Sequence, residues 1–217
     1  MKNALLLLIL SSWIFTAKGE EKDSLMQVLS STRVDTVKAN CWNKLSYIFS
    51  EEDSAKTRLY ATYALQLSTK INFTKGSCEA WRNLAYYHEY FKYDFATAER
   101  YYLTGIQIAR KEKNVFQEGL GLMDYASVLK KQKKHQKVLQ INKKAIEIFT
   151  SLRDTVKLII AYNGLGNAYK NVNQFEKSIK ALLKSLQLAL LKNDQKLPGP
   201  TSTLGCVMTE TEISIWH

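Results

Sequence analysis

The sequence predicts an all-α chain of about four helical hairpins, and three observations carry that reading. The first is internal repetition. Trp81-x-x-Leu84-Ala85, Leu122-x-x-Tyr125-Ala126 and Tyr162-x-x-Leu165-Gly166 each set a large residue three positions before a large-small pair, about forty residues apart. The second is a further apolar stretch after each of them, beyond a short polar turn: Phe95-x-x-Ala98-x-x-x-Tyr102-x-x-Gly105, His135-x-x-Val138 and Phe175-x-x-Ser178-x-x-x-Leu182-x-x-Ser185. Large residues at a 3–4 spacing give a helix its buried stripe, and small residues at fixed steps let a second helix lie close. The third is the placement of proline. Both prolines, Pro198 and Pro200, lie beyond the last repeat, so no proline interrupts helices between 23 and 193.

Taken in chain order, residues 1–19 read as a secretory signal. Met1-Lys2-Asn3 is a short positive head, Ala4 to Phe15 an apolar core too short to span a bilayer, and Ala17-Lys18-Gly19 the small-residue site before Glu20-Glu21. Cleavage is expected after Gly19, the alternative being an uncleaved anchor. Residues 20–193 form the repeat array, with units near 35–73, 76–113, 115–152 and 155–193. The first unit is the most diverged: Trp42, Leu45, Ser46 and Phe49 mark one helix and Ala61, Ala64 and Leu65 the other. From Ser46 to Ala85 is 39 residues, which extends the period backwards. Turns are marked by Asn72-Phe73-Thr74-Lys75-Gly76, Lys111-Glu112-Lys113-Asn114 and Ser151-Leu152-Arg153-Asp154, and 194–217 is an irregular tail.

This pattern resembles the tetratricopeptide repeat, whose signature sets a bulky residue, a Leu-Gly or Leu-Ala pair and a Tyr on the first helix, then an aromatic and small residues on the second. Tyr162, Leu165, Gly166, Tyr169, Phe175, Ser178, Leu182 and Ser185 match it best. The chain departs at Ser178 and Ser185, where the family favours Ala, and at Asn173, where Gly is common. A period of forty exceeds the usual thirty-four and implies longer helices. The resemblance implies a right-handed superhelical solenoid of the extended type, with first helices lining a concave groove.

Lys and Arg outnumber Asp and Glu by 31 to 20, and still by 29 to 20 once Lys2 and Lys18 are removed with the signal. The excess favours acidic partners and anionic surfaces. Its densest cluster is Lys130, Lys131, Lys133, Lys134 and Lys137, at a turn where lysines are ordinarily solvated; nucleic acid is set aside as a partner because the signal exports the protein. The three cysteines, 41, 78 and 206, have no close pair; one disulfide is open to them, but Cys41 and Cys78 fall where they would pack as small apolar residues. His88, His135 and His217 are too scattered for a zinc site, so no metal and no cofactor is expected. Asn72-Phe73-Thr74 matches a glycosylation acceptor, relevant in a eukaryotic secretory pathway.

Groove-facing residues should lie off the buried stripe, one and five positions after each leading large residue, then three further on. That register selects Arg82, Tyr86 and Glu89; Met123, Ser127 and Lys130; Asn163, Asn167 and Lys170. Amide and ammonium donors beside an aromatic suit the backbone carbonyls and carboxylates of a peptide segment. Asn163 and Asn167, one turn apart, have the spacing to grip such a backbone, the alternative being ordinary exposed polar positions. No phosphate loop, nucleophile elbow or isolated carboxylate pair marks a catalyst; Glu89, Asp124 and Glu147 are expected on solvated faces.

The last helix is expected to carry an uncovered stripe of Leu182, Leu186 and Leu190, because the tail beyond it lacks a capping pattern. Reading the third base of each tail codon with the first two of the next permits Ala-Tyr-x-Asn-x-Gly opposite Ala161 to Gly166, one period on. A frameshift that truncated a longer array is therefore expected, against a genuine tail. The functional expectation is a non-catalytic, exported scaffold that binds a protein or peptide segment in its groove, with no stable membrane span once the signal is removed. Arrays of this period resemble the periplasmic sensor regions of bacterial membrane-bound regulators; a self-contained periplasmic adaptor is the alternative, and an enzyme a distant one.

Overall fold

The computed structural model describes residues 19–192. The expected signal segment, apart from Gly19, the irregular tail and Cys206 lie outside the described residues. Among those described are nine helices and no strand: α1 over 19–31, α2 Asp35–Phe49, α3 Ser54–Lys70, α4 Thr74–Tyr90, α5 Phe95–Lys111, α6 Val115–Lys131, α7 His135–Ser151, α8 Thr155–Lys170 and α9 Phe175–Lys192. None of these is long and apolar enough to cross a membrane. They form two compact units that divide within α5, the first up to Tyr101 and the second from Tyr102 onward.

In the first unit α2 packs on α3 and α3 on α4. The repeat pattern does not reach residues 19–31, yet α1 contributes Leu25 and Leu29 to a cluster with Cys41, Leu45 and Ile48, and Lys22 pairs with Glu52. It thereby gives the first hairpin an apolar partner of its own. Helix α4 begins at Thr74, so Gly76 lies inside it instead of in the turn. A Cβ there would collide with the Ser68 hydroxyl, and the Gly76 carbonyl accepts from Asn43 Nδ2 at 2.9 Å. Cys41 and Cys78 are buried free thiols; burial pushes Cys78 up to about 11, which leaves it protonated and inert.

In the second unit α6 packs on α7, α7 on α8 and α8 on α9. The repeat's small positions explain why adjacent helices approach so closely. Ser46, Ala85, Ala126 and Gly166 on first helices are all buried, as are Thr57, Ala98, Val138 and Ser178 on second helices. At the α8–α9 crossing Ser178 Oγ donates to the Gly166 carbonyl at 2.8 Å; at the α2–α3 crossing Ser46 Oγ donates to the Thr57 carbonyl, also at 2.8 Å. The same crossing is thus bridged with the donor on opposite helices. Ser185 Oγ similarly donates to the Ile159 carbonyl at 2.8 Å. Both serine departures from the expected alanine are buried hydroxyls with a carbonyl to satisfy.

The expected stripe on α9 needs correction. Leu182 is fully buried against Gly166, with Phe175 and Ile179 around it, and Leu186 is half-buried; it is Leu183, Leu190 and Leu191 that are exposed. Another departure from apolar patterning is Asn142, buried on α7 at the position equivalent to Leu182, where its Nδ2 donates to the Val138 carbonyl at 3.0 Å.

Six helix ends share one device. Asn72, Tyr93, Lys113, Lys133, Arg153 and Asn173 all have φ between 52° and 58°, the left-handed region that L residues enter at a cost. After five of them the next amide reaches back five residues, as in Asn114 N to Ala109 O at 2.8 Å and Asp154 N to Phe149 O at 3.0 Å, which closes a Schellman motif. That next residue often caps the following helix: Asn114 accepts from Gln117 N, Asp154 from Lys157 N and Asp94 from Thr97 N. Chain reversal is therefore completed by one left-handed residue and one cap.

Two caps make the first unit sensitive to acid. The Lys56 backbone N–H holds the Asp53 carboxyl below its usual range, and the Thr97 side chain and then its N–H do the same for Asp94. A carboxyl lowered by folding contributes stability above its unfolded pKa, and that contribution is lost as pH falls through the folded value. Denaturation midpoints should therefore drop below about pH 4, and Asp53→Asn with Asp94→Asn should reduce the drop, because Asn caps without titrating. An identical acid limb in the double variant would show that the caps do not contribute to it.

Candidate functional site

Among the described residues, a cleft of about 580 Å³ opens in the first unit between α2 and α4, with Glu21 of α1 also lining it. Helix α2 brings Asn43, Lys44 and Tyr47, and α4 brings Glu79, Arg82, Asn83 and Tyr86. Amides organise its floor. Asn43, which donates to the Gly76 carbonyl, accepts from Asn83 Nδ2 at its backbone oxygen at 3.0 Å and at its Oδ1 at 3.4 Å, so α2 and α4 are stitched together across forty residues of chain. Its walls are aromatic: Tyr47 is 73% exposed, while Tyr86 is half-buried and stacks on Tyr90 with ring centroids 4.2 Å apart. Desolvation, then the neighbouring Tyr90, raises the Tyr86 hydroxyl above its ordinary pKa, so it stays a neutral donor at physiological pH. Three carboxylates, Glu21, Glu51 and Glu79, face two cations, Lys44 and Arg82.

Of the residues selected by register, Arg82 and Tyr86 line this cleft. Glu89 does not face a groove: it is fully buried, and the expectation of a solvated carboxylate there is corrected. On α6, Met123 and Ser127 are half-buried and Lys130 is exposed; on α8, Asn163, Asn167 and Lys170 are half-buried. Asn167 Nδ2 donates to both the Asn163 carbonyl and its Oδ1 at 3.1 Å. That amide nitrogen is thus held by its own helix, and the Asn163 nitrogen and the Asn167 oxygen are not used within the pair. Asn43 and Tyr47 lie outside the selected set, although the same rule applied to Trp42 yields both.

No family model matches the chain, and neither does any curated protein sequence. Solved structures do. Nearly identical TPR-like repeats from Podosopora anserina superpose with a TM-score of 0.65 at 9% identity, over 83% of this chain and 90% of that one. The fold is that of a tetratricopeptide repeat array. Two further tetratricopeptide-like matches are larger proteins. Aspartyl phosphate phosphatase F from Bacillus subtilis gives a TM-score of 0.70 at 15% identity, over 81% of this chain and 46% of that one. A Signal Transduction ATPase with Numerous Domains from Pyrococcus horikoshii, which has a tetratricopeptide repeat sensor, gives 0.62 at 20% identity, over 76% and 26%. This chain spans less than half of the first and about a quarter of the second. In tetratricopeptide terms the α2–α4 cleft lies between the first helices of two successive repeats.

Proposed function

We propose that the chain is a non-catalytic scaffold that binds a polypeptide segment, and that the α2–α4 cleft is its principal contact. The composition of that cleft carries the reading: exposed and half-buried tyrosines offer large contact area at small entropic cost, and ordered amides beside them suit a peptide backbone. Its near-balanced charge suits a mixed sequence more than a strongly acidic one. Stacked hairpins present extended binding surfaces of this kind. The phosphatase among the structural matches does not carry catalysis across, since under half of it is matched.

Displayed random peptides selected on the full chain provide the test. Against the selected peptides Tyr86→Ala should cost about 2 kcal/mol and Arg82→Ala over about 1 kcal/mol, with helicity retained. Selected peptides that bind the double variant as well as the parent would place recognition elsewhere.

The reading includes export, supported by the charged head, short apolar core and small-residue site of residues 1–19. Glu20 should be the mature N-terminus, and sequencing that returns Met1 on most of the cellular protein rejects it. A sensing role in signalling draws support from the Pyrococcus horikoshii protein, whose tetratricopeptide repeats are a sensor.

A further inference from the structure

Among the described residues, the excess of positive over negative charge falls in one of the two units. Residues 19–101 carry 11 Lys and Arg and 11 Asp and Glu, whereas residues 102–192 carry 17 and 6. Within the second unit the charge is a lysine field: only Arg110 and Arg153 are arginines, and Arg110 pairs with Glu118. Lys143 of α7 and Lys177 of α9 approach one ring, Tyr169 of α8, at 6.0 and 5.9 Å from its centroid. An excess of 17 cationic over 6 anionic side chains in one unit favours an anionic partner.

Helix α9 adds a second, independent feature. Leu183, Leu190 and Leu191 are 45%, 70% and 77% exposed, and Lys180, Lys184 and Lys192 border them. Residues 183 and 190 are seven apart, hence two turns along one face. Apolar side chains interleaved with ammonium groups match a partner that interleaves apolar side chains with carboxylates. Other polyanions fit less well. Among the described residues the exposed tyrosines, Tyr47, Tyr63, Tyr90 and Tyr93, all belong to the first unit, so the described lysines of the second have no exposed Tyr or Trp platform beside them on which single-stranded nucleic acid could stack. The second unit is also poor in the arginines that grip phosphate in two-point fashion.

We propose that the outer face of α9, its exposed leucines together with Lys180, Lys184 and Lys192, docks an acidic amphipathic polypeptide segment. This surface shares no residue with the proposed α2–α4 cleft and does not depend on it. The test uses the full chain and a synthetic helical peptide with a leucine stripe flanked by glutamates, beside its Gln-for-Glu counterpart. The acidic peptide should bind, the Gln peptide should not, and affinity should fall by about tenfold as salt rises through the physiological range. Lys180→Glu with Lys184→Glu should weaken binding by about tenfold, as should Leu183→Gln with Leu190→Gln. Lys44→Glu and the Arg82 and Tyr86 variants should leave it unchanged, which separates its failure from failure of the cleft. Tighter binding of oligothymidylate, or of phosphatidylcholine vesicles containing phosphatidylglycerol, would overturn the assignment of the partner. Indifference to the α9 substitutions would overturn the assignment of the surface.

Discussion

Gly166→Leu should unfold the last hairpin at temperatures the parent chain survives. A Cβ at residue 166 would lie 2.6 Å from Leu182 Cγ, 2.7 Å from Leu182 Cδ2 and 3.3 Å from the Ser178 carbonyl oxygen. Leu182 is fully buried and has nowhere to move, and the third contact is backbone. Overpacking a closed interface costs about 1–3 kcal/mol and sometimes more, and a residue blocked at its first side-chain atom belongs at the upper end. The Ser178 hydroxyl would also lose its carbonyl as α9 is pushed away, leaving a buried group unpaired. Gly166→Ala should show a smaller loss in the same direction. A Gly166→Leu protein whose circular dichroism melt matches the parent would show that α8 and α9 do not meet at this residue.

The opposite defect should be at least as severe in the middle of the second unit. Phe149 is fully buried, meets Phe116 edge-on with centroids 6.2 Å apart, and fills the space above Gly119, where a Cβ would fall 2.7 Å from its ring. Phe149→Ala should cost about 3–5 kcal/mol through lost burial and the cavity left behind. Because each repeat contacts only its neighbours, the loss should be local. Hydrogen exchange should accelerate in α6, α7 and α8 while α1 to α3 keep their protection. Uniform acceleration across the chain would mean that the two units unfold as one.

Both predictions rest on positions that the sequence makes legible, since a small residue recurring at 46, 85, 126 and 166 has little reason to keep its step unless helices cross there. Periodicity identifies such crossings because it records which side of a helix is covered. It does not record by what. Glu89 obeys the same arithmetic as Arg82 and Tyr86, yet it is buried. The rule counts positions along one helix and takes no account of what neighbouring elements lay over the end of α4. Leu182 departs from expectation for a related reason: a stripe of leucines has two flanks, and one of them already faces Gly166. Helix α1 has no repeat partner in the sequence, so no periodic argument reaches it. The Asn43–Asn83 linkage lies beyond sequence reasoning because pairing of two amides forty residues apart requires knowing which helices adjoin.

The left-handed turn residues bear on how an array of this kind changes length. Lys113 precedes the cap Asn114, and Arg153 precedes the cap Asp154, each with the same backbone twist. Excising 114–153 would splice Lys113 directly onto Asp154, and the seam would have the same chemistry as the two it replaces. Gain or loss of a forty-residue cassette therefore leaves no scar at the junction. Whether a shortened or lengthened chain folds is decided solely by how well the side chains of the newly adjoining helices fit.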